Sequence, residues 1–425
     1  MIEAGHFTGH RSRSTVALDG GTAAFPRELG PSSVRGTRQT EWTTTATQAF
    51  RVEWRPLASL GAITESWQRL AARALEPNIF YAPAFALAAA PVFGANVGAL
   101  LVWSASEPDR LLGLLPARIA RGRYGVPLSV LVGWTHPYAP FGVPLVDRDL
   151  AESVITAVLA HIAQEPGLPD LLLLPLVPTD GPFARALAAV LAARRGRIAS
   201  FAQHGRALLA PARDRAGYLD RMLPSRKRKE LRRQARRLAD RDALSTVSAA
   251  EPPAVAAALD EFLALEARGW KGRAGTAAAR NPDECAFMRQ AVGALAAAGQ
   301  ARVDRLMLGE HTVAAAITLR NGPVAWFWKI AYDEDLARAS PGVQLVLDLT
   351  PSLLGDPGLV RVDSCATPDH PMIDHLWRER LLLADELIAV GPAGTARFAV
   401  ACLLETLRRA SVDAAKRVRQ RLRRR

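Results

Sequence analysis

Cysteine is scarce: Cys285, Cys365 and Cys402 stand far apart in 425 residues. That spacing makes no disulfide framework and no metal cluster, so it predicts a reducing, cytoplasmic setting and no bound metal. Long apolar runs are missing too, since none reaches the ~18–20 residues of a membrane span. The longest candidates are Leu171–Val177 and Leu381–Val390, and the second carries Asp385 and Glu386. They read as a buried strand and a packed helix. Residues 1–30 hold no continuous apolar stretch of the kind a secretory signal needs. The sequence has no Gly-x-Ser-x-Gly elbow, no Walker loop, no zinc spacing and no Gly-x-Gly-x-x-Gly after a strand. Hydrolase, NTPase, metalloenzyme and dehydrogenase readings therefore lack their usual support.

Acid is in short supply against base: 41 Asp and Glu face 54 Lys and Arg, a net charge of +13. The excess is concentrated. Arg226–Arg241 holds nine basic residues against Glu230 and Asp240, and Lys416–Arg425 holds seven and no acid. Such blocks imply an anionic partner such as CoA phosphates, nucleic acid or an anionic lipid surface, although a solvated, frayed tail is the plainer reading of the second. The first has no adjacent aromatic for base stacking, which disfavours sequence-specific nucleic-acid reading.

The length suggests two domains. Residues 1–48, rich in Gly, Ser, Thr and Arg, read as a disordered segment. Residues 49–210 and 211–395 read as two domains, followed by a basic helix or tail over 396–425. The first domain starts with a strand near Phe50 and a helix over Thr64–Leu75, capped by Thr64. Strands follow over Gly98–Trp103, Leu111–Ala120 and Leu128–Trp134, then a helix over Ala151–Gln164, a strand over Asp170–Leu176 and a helix over Pro182–Arg194. The second domain repeats this order. Helices over Pro253–Ala267 and Glu284–Ala298 lead to a hairpin of Arg302–Leu308 and Thr312–Arg320. A strand over Val324–Tyr332, a helix to Leu354, a strand over Val360–Cys365 and a helix over Asp374–Ala384 complete it. The offset of about 200 residues points to a duplicated domain.

The strongest local feature is the strand, loop and helix of Ala325–Leu347. Ser340 is a favoured N-cap, Pro341 suits the first helical turn, and Gly342 permits close approach of a ligand to the backbone. A helix that starts here presents free N–H groups and a positive dipole end, which can hold a pyrophosphate with Arg338 just upstream. An ordinary capped helix is the alternative.

In this context the second half resembles the BioF-like/CelD-like acetyltransferase family of the GNAT superfamily, which is related to FemAB proteins. The blocks that carry the resemblance are Leu223–Arg233, Leu265–Gly272, Trp328–Glu334, Ser340–Leu345 and the Asp363 strand, over roughly residues 210–385. The first half resembles the degenerate partner domain of tandem members. The resemblance implies an α/β (α+β) fold of two tandem GNAT-like domains, each a mixed sheet flanked by helices. It implies acyl transfer from acyl-CoA, as cosubstrate, to an amine or hydroxyl of a small molecule or glycan, in polysaccharide or cell-envelope metabolism. The turn departs from the usual GNAT phosphate loop, with its basic or Gln residue and two glycines, since only Gly342 and the upstream Arg338 serve here. That leaves acetyl-CoA, a longer acyl-CoA or an aminoacyl-tRNA as donor, and a non-catalytic binding protein as a further alternative.

Acyl transfer needs deprotonation of the acceptor, a donor to the developing oxyanion and a proton for the leaving thiolate. Within the resemblance, Arg338, Ser340, Pro341, Gly342 and Val343 are the candidates to hold the CoA. Tyr332 is the candidate acid for the thiolate. Asp363 is unfavourable in mid-strand unless paired or catalytic, and is the candidate base or amine-binding group, with an ion pair to Lys329 or an arginine as the alternative. Trp270, Lys271, Lys329 and His370 are the candidates to line the acceptor cleft. A regular strand puts Trp328 and Tyr332 on one face and Lys329 on the other. Cys365 reads as a buried, inert thiol.

Overall fold

The computed structural model describes residues 40–44, 48–210, 217–391 and 394–423. Of the segment read as disordered, residues 1–39 and 45–47 lie outside the described residues.

The first half runs β1 (Thr40–Thr44), β2 (Gln48–Pro56), α1 (Thr64–Arg73), α2 (Pro83–Phe93), β3 (Val97–Ser104) and β4 (Leu111–Ala120). It continues with β5 (Val130–Gly133), β6 (Leu145–Val146), α3 (Ala151–Gln164), β7 (Leu171–Pro178), α4 (Pro182–Ala193) and β8 (Arg197–Leu209). The second half runs α5 (Tyr218–Met222), α6 (Ser225–Ala239), β9 (Leu244–Ala249), α7 (Pro252–Arg268), α8 (Trp270–Arg273) and α9 (Pro282–Ala297). Then come β10 (Ala301–Leu308), β11 (His311–Asn321), β12 (Val324–Tyr332), α10 (Pro341–Gly355), β13 (Arg361–Asp363), β14 (Glu379–Ala389) and α11 (Gly394–Arg423).

Among the described residues the fourteen strands join one mixed sheet, ordered β1-β2-β3-β4-β5-β7-β14-β8-β13-β12-β11-β10-β9, with β6 beside β4. The order makes the duplication visible. β5 and β7 are parallel and bracket α3, and β12 and β13 are parallel and bracket α10. Each half then gives its last strand to the other: β8 pairs β13, and β14 pairs β7. The two exchanged strands pair with each other from Glu379↔Leu208 to Ala389↔Arg197.

This exchange corrects one expectation. Asp374–Ala384 is no helix: a 3-10 turn spans Ile373–His375, and Glu379–Ala389 is a strand. The Leu381–Leu383 run suits a helix as well as a strand, and a partner on each side decides for the strand. The same pairing extends β8 over Arg197–Leu209.

Aromatic rings bind the halves together. Phe80 meets Trp326 at 5.8 Å, and Phe85 meets Phe287 at 5.4 Å and Trp328 at 5.5 Å. A large apolar side chain fully buried contributes about 1.5–3 kcal/mol, and an aromatic edge contact about 0.5–1.5 kcal/mol more. A few such pairs make the shared core decisive against separation of the halves. No helix among the described residues is long and apolar enough to cross a membrane.

Candidate active site

β13 pairs β12 only at Val324, Ala325 and Trp326, because β13 ends at Asp363. From Phe327 to Tyr332 the β12 edge on that side faces a cleft of about 2770 Å³ instead of a strand. The first half diverges likewise after Leu131↔Leu172 and Val132↔Leu173. There the chain itself fills the gap: Gly142 N–H donates to Leu176 O at 3.3 Å, and Asn78 Nδ2 holds the carbonyls of Phe141 and Val143 at 3.2 and 2.8 Å. A Cβ on Gly142 would come within 1.9 Å of Pro175 O, so only glycine permits this closure. The open splay therefore belongs to the second half.

At one end of the cleft lies the start of α10. Ser340, Gly342 and Val343 line the wall, with Arg338 and Lys227 beside them. Pro341 is buried and sets the first turn outside the wall. Ser340 holds φ +53° and makes no side-chain cap bond, unlike the N-cap expected of it. Among the described residues no group bonds the Gly342 or Val343 N–H, which leaves two donors at the positive end of the helix. A Cβ on Gly342 would reach 3.2 Å from Cδ1 of Tyr332. The basic α6 packs here, with Gln344 Nε2 donating to Leu231 O at 3.0 Å.

At the other end the floor is polar. Ile317 faces Lys329 and Thr318 faces Phe327, so Trp328 is the extra residue of a β-bulge. The bulge overturns the expected alternation. Trp328 donates from Nε1 to Tyr138 O at 2.7 Å, and the Lys329 ammonium lies 4.0 Å from the centroid of the Tyr138 ring, so both point to one side. Tyr332 packs on the other, beside Gly342 and Ile330. Burial, with repulsion from Lys271, pulls the Lys329 ammonium down to about 8 against an opposing pull from Glu266. Burial works to raise the buried Glu266 carboxyl, but Lys271 at 2.6 Å and the Ala278 N–H at 2.9 Å hold it below its usual range. Burial and Glu334 raise the Tyr332 phenol, so it is protonated at neutral pH.

Trp270, Lys271 and His370 also line the cleft. Burial lowers His370, whose Nδ1 accepts from Met372 N–H at 3.3 Å. Asp363 stands outside the wall, with its carboxylate held by Arg206 at 2.6 Å and by the Cys365 N–H at 2.9 Å. Both partners of that ion pair are 2% exposed. Burial and Asp363 push the Cys365 thiol well up.

Sequence reasoning missed three groups in the wall, Glu266, Tyr138 and His136, and reached Lys227 only as part of the basic Arg226–Arg241 block. Both ring nitrogens of His136 are buried and unpartnered, and the ring stacks on Phe93 at 4.3 Å. Burial and the Lys329 charge lower it to about 3, so it is a neutral hydrogen-bond partner at ordinary pH. Glu266 had a signal, as an acid inside an apolar helical stripe. Tyr138 and His136 come from the first half, and nothing local in their sequence marks them. Among the described residues no group of three or more His, Cys, Asp or Glu could hold a metal ion.

Residues 225–365 match the family model described as an acetyltransferase (GNAT) domain. The fold is that of the GNAT superfamily. Among solved structures the chain is similar to FemX, at 9% identity and a TM-score of 0.51, over 77% of this chain and 95% of that one. It is also similar to a conserved protein of unknown function from Bacteroides thetaiotaomicron, at 10% identity and a TM-score of 0.47, over 79% and 99% of the two chains. No curated protein matches the sequence. The likeness to FemX is one of fold.

Proposed function

We propose that this GNAT-type protein is an acyltransferase that takes its acyl group from acyl-CoA and passes it to an amine or hydroxyl. The observation that carries the reading is the open β12 edge beside two unoccupied N–H groups at the start of α10. The CoA pyrophosphate rests on the Gly342 and Val343 amides, with Arg338 and Lys227 alongside. The thioester reaches along β12, and a free backbone N–H of that edge receives the developing oxyanion.

The acceptor lone pair attacks the thioester carbon, and the C=O pair moves onto oxygen. As the intermediate collapses the C–S bond breaks, the thiolate takes the phenolic proton of Tyr332, and the proton that the acceptor nitrogen or oxygen loses passes through solvent in the open cleft to restore the phenol. Lys329, as an ammonium, holds the anionic part of the substrate. His136 accepts a hydrogen bond from the acceptor N–H or O–H and orients it, and Trp270, Lys271 and His370 line its path. Asp363 serves as a positioning residue through Arg206, since its carboxylate is already shared with that guanidinium. A cell-envelope or polysaccharide acceptor is what the BioF-like/CelD-like resemblance implies.

A FemAB-type transferase using aminoacyl-tRNA is the second reading, favoured by the basic α6 on the rim of the cleft through Lys227. Calorimetry separates the two. The first expects saturable CoA binding that Gly342→Trp abolishes, because any side chain there meets Tyr332. Binding of tRNA with a steep salt dependence, and none of CoA, replaces it with the second. Binding of neither leaves a non-catalytic protein.

A further inference from the structure

The helix α11 presents a surface that acyl transfer does not use. One face of its first half is buried: Phe398 and Ala401 pack against the strands, and the fully buried Glu405 binds Arg123 at 2.9 Å. The opposite face carries Val400, Leu403, Leu407 and Val418 at helical spacing, 49%, 60%, 57% and 56% exposed. Spacings of three, four and eleven residues put these four on one stripe. Ala414 continues it.

The charge beside this stripe is predominantly basic. From Gly394 to the end the only acids are Glu405, which is buried, and Asp413, against a block of seven basic residues over Lys416–Arg425. The two features together select the occupant. A nucleic acid complements the base but leaves Leu403 and Leu407 without a partner. A second copy of the chain covers the leucines but lays one basic end beside another, or far from any acid to offset it. An anionic lipid surface accepts both, with leucines in the acyl boundary and arginines at the headgroups.

We infer that α11 lies in the plane of an anionic membrane surface and brings the cleft to acceptors held there. The inference is independent of the donor identity, because the stripe faces away from the sheet.

The test is flotation of the full chain with vesicles of phosphatidylcholine containing about 30% phosphatidylglycerol, against pure phosphatidylcholine, in low and high salt. The expected result is capture by the anionic vesicles alone, weakened by salt, and reduced about tenfold or more in Leu403→Glu/Leu407→Glu. Both leucines are exposed, so the variant folds, and its CoA affinity measured in parallel stays at the wild-type value. No capture of the wild-type chain overturns the inference. So does equal capture of the variant, a dimer that the variant dissociates, or tight binding of an oligonucleotide in place of vesicles.

Discussion

The Lys329 ammonium lies 4.0 Å from the centroid of the Tyr138 ring, and the two residues come from opposite halves of the chain. The duplicated half is thus part of the site, since it covers the lysine and helps to keep water from it. Burial and Lys271 bring that lysine to about 8. The group is charged below that value and neutral above it. Acyl transfer that depends on the ammonium is therefore flat at neutral pH and falls as pH rises through about 8. Lys329→Met is expected to lower kcat/KM about a hundredfold or more and to remove that alkaline limb. A variant that keeps the same limb would assign it to another group.

Asp363→Asn leaves the buried Arg206 guanidinium without its counter-charge. Breaking a buried pair costs about 3–5 kcal/mol, so the variant melts well below the wild type. Asp363→Leu with Arg206→Met is expected to recover part of that loss. Turnover per folded molecule falls only through misplacement of the Cys365 loop, by about tenfold or less. A loss of several thousandfold in a fully folded Asp363→Asn protein would return the carboxylate to the role of base.

Much of this arrangement is legible in sequence, for identifiable reasons. Helices α3, α7 and α10 have apolar residues at helical spacing, and the hairpin of β10 and β11 turns at a glycine, so local pattern suffices. Three decisive features are non-local. The Leu381–Leu383 run fits either element until β7 and β8 flank it. The bulge at Trp328 depends on the register with Ile317 and Thr318 of the neighbouring strand. The partner of Asp363 lies 157 residues away, at Arg206 on an exchanged strand. Spacing in one segment carries none of these.

The anion-binding end makes a separate prediction. Lys227 and Arg338 line the cleft beside the α10 amides. Lys227→Ala and Arg338→Ala are each expected to weaken CoA binding about three- to tenfold and to leave turnover at saturating CoA unchanged. The salt dependence of CoA affinity becomes shallower in both. Equal losses of CoA and dephospho-CoA affinity assign the contact to the pyrophosphate, and a loss confined to CoA assigns it to the 3′-phosphate.

Glu405 fixes α11 to the sheet and gives the fold an acid-sensitive joint. Its carboxylate meets Arg123 at 2.9 Å, Arg408 at 2.6 Å and Arg409 at 2.7 Å, and Arg409 reaches on to Asp385 at 2.7 Å. Burial works to raise the carboxyl, but the arginines win and hold it at about 2, against an ordinary value of 4.5. A depressed folded value means that the unfolded chain takes up the proton first. The stability it contributes is complete above pH 4.5 and is lost as pH falls toward 2. Glu405→Gln removes the charge at every pH and leaves the guanidiniums facing an amide. Its Tm at neutral pH is expected about 5 °C below the wild type. As pH falls from 4.5 toward 2 the two curves converge, because the unfolded wild-type chain takes up a proton that the folded carboxylate still refuses. Parallel melting curves from pH 7 to 3 would instead locate the anchor of α11 in the apolar contacts of Phe398 and Ala401.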